Sequence, residues 1–155
     1  MFRIIAILFL MVLIVSCAST EKHTTQDSVD ESGNYKFEAW SADASADHEA
    51  IKKLLDEADK LIEKQAFDAA TDKLERILRI KPQYAPAWSR LSWLALQMNS
   101  PERSVQMAKR SNSFAYSDAQ LQLLNWSFIR DANQLLNDEE AYHRANQKIE
   151  SLKAF

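Results

Sequence analysis

Glycine, proline and cysteine are all scarce in this chain of 155 residues. Gly33 is the only glycine, and Pro82, Pro86 and Pro101 are the only prolines. Phosphate-binding loops and the many tight turns of β-sandwiches depend on such residues, so α/β folds with phosphate loops and β-sandwiches are disfavoured. The single cysteine, Cys17, excludes a disulfide within the chain. The composition therefore predicts an all-α fold.

The chain also lacks an excess of positive charge. It has 19 Lys and Arg against 22 Asp and Glu, which gives a formal net charge of −3 at pH 7. Proteins that bind nucleic acid rely on surplus Lys and Arg to neutralise phosphates. We therefore expect no nucleic-acid partner.

No pattern of catalytic or metal-binding side chains is present. His23, His48 and His143 are scattered, and none has a second histidine at the spacing of metal ligands. Asp and Glu recur beside Lys and Arg at helical intervals, which is typical of surface ion pairs. We therefore expect neither an enzyme nor a bound metal or other cofactor.

One long apolar run is present, from Ile4 to Val15, and it follows the basic residue Arg3. A helix of this length spans about 18 Å, well short of the roughly 30 Å hydrocarbon core of a bilayer. A short apolar run after a basic start is typical of a secretory signal peptide. The run ends in Ile14-Val15-Ser16-Cys17, which resembles the lipoprotein signal of bacteria.

That resemblance implies removal of residues 1–16 as a lipoprotein signal peptide and lipidation of Cys17. In such proteins the following residue helps to direct the product, and Ala18 is not the aspartate that typically retains lipoproteins in the inner membrane. The implied location is the periplasmic face of the outer membrane, with the acyl chains as anchor and the inner membrane as the alternative. An ordinary signal peptide or an uncleaved anchor, with an incidental cysteine, is the other interpretation.

Residues 17–46 are predicted to be a lipidated, disordered linker. Polar and charged residues dominate, and too few apolar residues are present to offset the entropy of ordering. Tyr35, Phe37 and Trp40 interrupt this composition. They are predicted either to pack on the first helix or to dock as a short peptide on the folded domain or on a partner.

Residues 47–153 form the predicted helical domain, because apolar residues recur there at helical spacing. The first two stripes cover residues 51–62 and 67–78, and Pro82 stops the second helix. A single hairpin of two such helices cannot bury its apolar residues on both sides, so further hairpins are expected to stack on it.

The pattern of the second helix recurs after 34 residues and again after a further 41 residues. The residues in the three copies are Ala70, Leu74 and Ile77, then Ser104, Ala108 and Ser111, then Ala145, Ile149 and Leu152. The second interval is therefore seven residues longer than the first, which corresponds to about two helical turns. These extra residues are predicted to lie near residues 111–118, as a longer helix or a longer connection.

The unit resembles the tetratricopeptide repeat, a 34-residue helix–turn–helix. The first copy departs from the family's pattern only at Glu57, the second loses bulk in its second helix, and the third has Asn133 where a small residue belongs. The implied fold is a short α-solenoid of about three helix hairpins, or six helices. The residues expected to pack the repeats are Ala58, Leu61, Ala70, Leu74, Pro82, Trp88, Leu91, Ser92 and Ala145.

Members of this family hold peptides or proteins on a concave face built from the first helix of each repeat. The residues that correspond to this face and are predicted to bind a partner are Leu55, Ile62, Ser89, Trp93, Leu96 and Gln97. Trp93 is the predicted anchor, because an aromatic side chain in a groove is a favoured binding residue. A core position for Trp93 is the alternative.

The resemblance implies a membrane-anchored adaptor or scaffold that acts by protein–protein interaction in the periplasm. Envelope, pilus and cell-wall assembly are the settings considered. The alternative function is a structural component that assembles with itself or within a larger complex and holds no peptide in a groove. The sequence leaves the identity of the partner and the oligomeric state open.

Overall fold

The computed structural model describes residues 46–154, and this part of the chain is entirely helical, with no strand. The predicted all-α fold is confirmed. Cys17, the signal peptide and the aromatic residues Tyr35, Phe37 and Trp40 lie outside the described residues. The six helices are α1 (Ala46–Glu63), α2 (Phe67–Ile80), α3 (Ala85–Gln97), α4 (Pro101–Asn112), α5 (Ala119–Leu135) and α6 (Glu139–Lys153).

The helices pair into three antiparallel hairpins, α1–α2, α3–α4 and α5–α6. Contacts of α2 with α3, of α4 with α5 and of α3 with α5 join neighbouring hairpins. Helix α3 therefore lies at the centre of the stack and is buried along most of its length. This packing is compatible with a solenoid of the tetratricopeptide type.

All three hairpin turns use the same backbone conformation without glycine. Gln65, Asn99 and Asn137 have positive φ angles of 57°, 54° and 56°. In each turn the next residue donates its backbone N–H to a carbonyl five residues earlier, for example Ser100 to Ala95 at 2.8 Å. This is the Schellman ending of a helix, for which asparagine is the usual substitute for glycine.

Small residues lie where the helices of the first two hairpins cross, as the sequence predicts. Ala58, Ala70, Ser92 and Ser104 are all fully buried. The Ser92 hydroxyl donates to the Ser104 carbonyl at 2.9 Å, and the two hydroxyl oxygens are also 2.9 Å apart. Close approach of the helices and satisfied buried hydroxyls both follow from these side chains.

The third hairpin is irregular, because its two helices contain the residues in excess of the 34-residue unit. The turn residues Gln65 and Asn99 are 34 residues apart, but Asn99 and Asn137 are 38 apart. Helix α5 has 17 residues where α3 has 13, so about one extra turn lies inside α5. The connection at residues 113–118 has six residues where 81–84 has four, so the predicted longer connection near residues 111–118 is present. It adds nothing to the repeat length, because α4 is two residues shorter than α2.

The remaining three extra residues lie in α6. Ala145 is eight residues beyond its turn residue Asn137, whereas Ser104 is five beyond Asn99. Asn133, the residue that departs from the family's pattern, is buried, and its Nδ2 donates to the Ile129 carbonyl at 2.7 Å. A polar side chain is accommodated at this position because it bonds to its own helix.

Ser117 and Gln120 have the spacing of a capping box, which predicts Ser117 as the N-cap of α5. Asp118 is the N-cap instead, and its carboxylate accepts a hydrogen bond from the Leu121 N–H at 2.9 Å. Asp138 caps α6 in the same way through the N–H of Ala141. The cap lies one residue later than predicted because aspartate supplies the acceptor.

Candidate interaction surface

The predicted packing residues lie mostly inside the helical stack. Ala58, Ala70, Leu74, Leu91, Ser92 and Ala145 are buried. Leu61 and Trp88 are half-buried and Pro82 is exposed. Pro82 nevertheless contributes to packing, because its carbonyl accepts a hydrogen bond from Nε1 of Trp88 at 2.8 Å.

Three of the six residues predicted to bind a partner lie in the interior, which corrects the sequence analysis. Leu55 and Ser89 are buried, and Trp93 is only 4% exposed. The Trp93 ring meets the edge of Phe67 at 5.9 Å between ring centroids and 89° between planes. Phe67 begins α2, and α2 packs on α3, so Trp93 is enclosed where neighbouring hairpins meet. Trp93 therefore occupies a core position, which was the alternative interpretation of this residue.

The other three predicted residues remain accessible at one end of the stack. Ile62 and Leu96 are half-buried and Gln97 is exposed, in the last turns of α1 and α3. Because α1, α3 and α5 all run in the same direction, the last turn of α5 lies at this end too.

Two further apolar residues are exposed at the same end, and the sequence analysis missed both. Met98 follows α3 directly and is 42% exposed, and Leu135 ends α5 and is 55% exposed. The available signal was an apolar residue one position before Asn99 and two positions before Asn137, where the first hairpin has the charged residues Lys64 and Glu63. We call Ile62, Leu96, Gln97, Met98 and Leu135 together the rim.

The end of the molecule that carries the rim is acidic. Helices α2, α4 and α6 begin there, and their first turns carry Asp68, Glu102, Glu139 and Glu140. Acidic residues stabilise the positive end of the helix dipole. An apolar rim among carboxylates favours a partner that presents apolar side chains flanked by Lys or Arg.

A buried ion pair positions the helices that carry the rim. Arg90 is fully buried and donates two hydrogen bonds to the Asp59 carboxylate, at 2.7 and 2.8 Å. Its Nη1 also donates to the Pro86 carbonyl at 3.3 Å. The pair joins α1 to α3 one turn before Ile62 and two turns before Leu96. The sequence analysis missed Arg90, although it is the one charged residue of an otherwise uncharged helix.

Tyr84 lies beside this ion pair. Its partial burial raises the pKa of the phenol above the ordinary value of 10.0, an effect that the Arg90 charge opposes and the Asp59 charge reinforces. The phenol is therefore neutral at physiological pH and serves as a packing residue next to the pair.

Neither a metal centre nor a membrane span is found in residues 46–154. No group of three or more His, Cys, Asp or Glu side chains there is arranged to hold a metal ion. No helix in this range is both long and apolar enough to cross a bilayer.

Comparison with known proteins gives no relative, since no family model, no curated protein and no solved structure matches the chain.

Proposed function

We propose that this protein is a lipid-anchored adaptor that binds a protein partner at the rim of a tetratricopeptide-like helical stack. The observation that carries the proposal is the rim itself, where Met98 and Leu135 expose about half of their apolar side chains. Solvent exposure of large apolar side chains at one end of a molecule favours an interaction site there. The proposed anchor is Cys17, on the periplasmic face of the outer membrane.

Charge favours a different protein over a second copy of this chain as the partner. Two rims brought together would place the carboxylates at the starts of α2, α4 and α6 against one another. Like charges across an interface are unfavourable and act against such pairing. A partner with basic residues around an apolar segment would be attracted by the same carboxylates.

The test places a photocrosslinking amino acid at Gln97 of the full chain in its native cells. A matched chain carries the same amino acid at Gln106, an exposed residue of α4 away from the rim. We expect one discrete protein adduct from position 97 and none from position 106. Adducts of equal yield at both positions, or no adduct at position 97, would refute binding at the rim.

A second variant pair checks that the adduct depends on the rim. Leu135→Asp should lower the adduct yield on the order of tenfold, which corresponds to about 1.4 kcal/mol of binding free energy. Gln134→Asp is the control, because Gln134 is the preceding exposed residue of α5 and the variant adds the same charge without removing an apolar side chain. An adduct with twice the mass of the chain would instead support the self-assembling structural component.

The anchor is tested separately by mass spectrometry of the mature protein. We expect an N-terminal peptide that begins at an acylated Cys17, and we expect Cys17→Ser to release the protein from the membrane fraction. An unmodified thiol at Cys17 would refute the anchor without bearing on the rim.

A further inference from the structure

The end of the stack opposite the rim has a different surface. Helices α1, α3 and α5 begin there and α2, α4 and α6 end there, so it contains the connections 81–84 and 113–118. The Ser111 hydroxyl donates to the Ala85 carbonyl at 2.9 Å, and Ala85 packs with Ala115 and Leu121. These contacts hold the two connections against each other. We call this surface the entry end, because the chain from Cys17 joins the domain there at Ala46.

Aromatic side chains are concentrated at the entry end. The Arg110 guanidinium lies 4.9 Å from the ring centroid of Phe114 and 5.9 Å from that of Trp88. The ammonium of Lys81 lies 5.8 Å from the ring centroid of Tyr84. Tyr116, at the tip of the second connection, is 85% exposed. Tyrosine and tryptophan, each with an apolar ring and a polar tip, are the residues enriched where proteins meet the headgroup region of a bilayer.

Positive charge accompanies these aromatic rings. Arg79, Lys81, Lys109 and Arg110 are exposed, and within residues 46–154 none has a carboxylate partner. By contrast, Arg90 and Arg103 are paired with acidic residues. The basic residues follow from the helix dipole, because α2 and α4 present their C-terminal ends here. The entry end is therefore basic and aromatic, whereas the rim end is acidic.

We propose that the entry end is a membrane-docking face that rests on an anionic phospholipid surface. Lys81, Lys109 and Arg110 contact headgroup phosphates, and Tyr116 inserts its ring at the interface. The proposal rests on the membrane anchor of the proposed function, since the chain that carries Cys17 enters the domain at this end. Docking in this orientation directs the rim away from the bilayer, where a protein partner has access to it.

A lipid surface fits these features better than an acidic protein does. Basic residues near a bilayer are attracted by the negative surface potential of anionic lipids over about a Debye length. The proposed anchor keeps the domain close to the membrane. The basic residues of the entry end have no carboxylate partners within residues 46–154, whereas Lys60 and Lys64 at the rim end lie among Glu63, Asp68 and Glu102.

The experiment uses the full lipidated chain, purified from membranes and reconstituted into vesicles. One vesicle type contains phosphatidylcholine alone and the other contains phosphatidylcholine with about one third phosphatidylglycerol, which supplies the anionic surface. Amide hydrogen exchange is followed by mass spectrometry over residues 79–84 and 113–118, and over the rim turns 97–100 and 135–138. We expect exchange at the entry end to be about threefold slower or more on anionic vesicles, with the rim unchanged.

Matched charge reversals separate docking from general attraction. Lys81→Glu with Lys109→Glu should abolish the protection at the entry end. Lys60→Glu with Lys64→Glu makes the same charge change at exposed positions of the rim end and should leave the protection intact. Circular dichroism checks that both double variants are folded. High salt should also remove the protection, because electrostatic attraction to lipid is screened.

The contrary outcomes are distinct. Failure of the chain to sediment with either vesicle would refute the anchor and the docking face together. Sedimentation without selective protection at the entry end would refute the docking face alone. Equal protection on both vesicle types would also refute the docking face alone. The docking face would likewise be refuted if the Lys81→Glu, Lys109→Glu chain showed unchanged hydrogen exchange on vesicles but lost its protein adduct in cells. This combination would make the entry end a protein-binding site.

Discussion

Arg90 is a charged side chain at the centre of the molecule, and its removal from water has to be compensated within the protein. Desolvation of a buried ion costs several kcal/mol, which only well-formed hydrogen bonds to a counter-charge offset. The Asp59 carboxylate supplies two such bonds and the Pro86 carbonyl a third. The ion pair therefore fixes α1 against α3, two helices with few other contacts between them.

Asp59→Asn keeps the size of the side chain but leaves the buried guanidinium without a counter-charge. We expect the free energy of unfolding to fall by about 2–4 kcal/mol, below the upper range for buried pairs because Asp59 is 30% exposed. Urea denaturation followed by circular dichroism measures the change. Glu75→Gln is the control, because its pair with Arg103 is exposed and should contribute less than about 1 kcal/mol. Equal midpoints for the two variants would contradict the assigned role of the pair.

Glu57 connects stability to pH through a single hydrogen bond. Lys73 donates to its carboxylate at 2.6 Å, and this bond holds the pKa of Glu57 below the ordinary value of 4.5. The unfolded chain therefore takes up the proton first as pH falls. The stability that this carboxylate contributes is present above pH 4.5 and is lost as pH falls through the pKa of the folded state.

Glu57→Gln should therefore unfold at a slightly lower urea concentration than wild type at pH 7. The two midpoints should converge below pH 4.5, because wild type alone loses the contribution of this carboxylate. A series of urea titrations from pH 7 to pH 3 measures this. Glu63→Gln, at an exposed residue of the same helix, should run parallel to wild type. If Glu57→Gln also ran parallel, the bond with Lys73 would have no role in stability.

At the scale of helices and turns, the hairpin is the unit that repeats. Each hairpin closes with a left-handed residue, Gln65, Asn99 or Asn137, and the first two cross through small residues placed at equal distances from those turns. The third hairpin keeps the turn but shifts the crossing, because α5 is longer than α3. Turn chemistry is therefore the most regular feature of the stack, and helix length is the most variable.

Ala70→Leu tests the close crossing of α1 and α2. Ala70 is fully buried, so the added methylenes should force the helices apart and lower the free energy of unfolding by about 1–3 kcal/mol. Ala69→Leu is the matched control, because Ala69 is the preceding residue of the same helix and is exposed. Urea denaturation should show little change for this control. A loss at Ala69 as large as that at Ala70 would indicate that helix propensity, and not the crossing, is responsible.

At the scale of the whole molecule, α3 holds the stack together. It contacts α2, α4 and α5, whereas α6 packs mainly on α5. In helical repeat proteins each unit is stabilised chiefly by its immediate neighbours, so the terminal units open most readily.

Native-state hydrogen exchange should therefore be graded along the chain. We expect the amides of α3 to exchange most slowly and those of α6 to exchange faster, because α6 has a neighbour on one side only. Exchange measured by mass spectrometry of helix-length peptides resolves the difference. Ile149→Ala, which removes buried contacts of α6, should speed exchange in α6 and leave α3 nearly unchanged. Uniform protection across both helices would indicate a single cooperative unit.

The two ends of the stack are chemically opposite. The rim end is acidic with exposed Met98 and Leu135, and the entry end is basic with Trp88, Phe114 and Tyr116. The charges separate because α2, α4 and α6 all point the same way. Their acidic first turns lie at the rim end, and the basic last turns of α2 and α4 lie at the entry end. This polarity agrees with the proposed adaptor, which is anchored at one end and binds its partner at the other.

The prediction of the candidate site from the sequence was incomplete for a physical reason. The spacing of apolar residues does not show whether Trp93 and Leu55 face the core or a groove, because both kinds of helix face carry apolar residues at the same spacing. Burial of Trp93 depends on Phe67, which belongs to a different hairpin. Leu135 is exposed because it lies two residues before the turn residue Asn137, as the exposed Glu63 and Gln97 lie before Gln65 and Asn99. The burial of Trp93 is not contained in the local sequence, whereas the exposure of Leu135 follows from its place beside a turn.

What the sequence determined by itself is local in origin. The all-α class and the alternation of helices and turns follow from spacing and from the scarcity of glycine and proline, and the resemblance to the tetratricopeptide repeat implied the roles of the small residues Ala58, Ala70, Ser92 and Ser104. Only the tertiary structure decided which apolar side chains are enclosed, that Arg90 is paired with Asp59, and that acidic and basic surfaces separate to opposite ends. Those outcomes depend on how neighbouring hairpins dock, and docking brings together residues that no short stretch of the sequence contains.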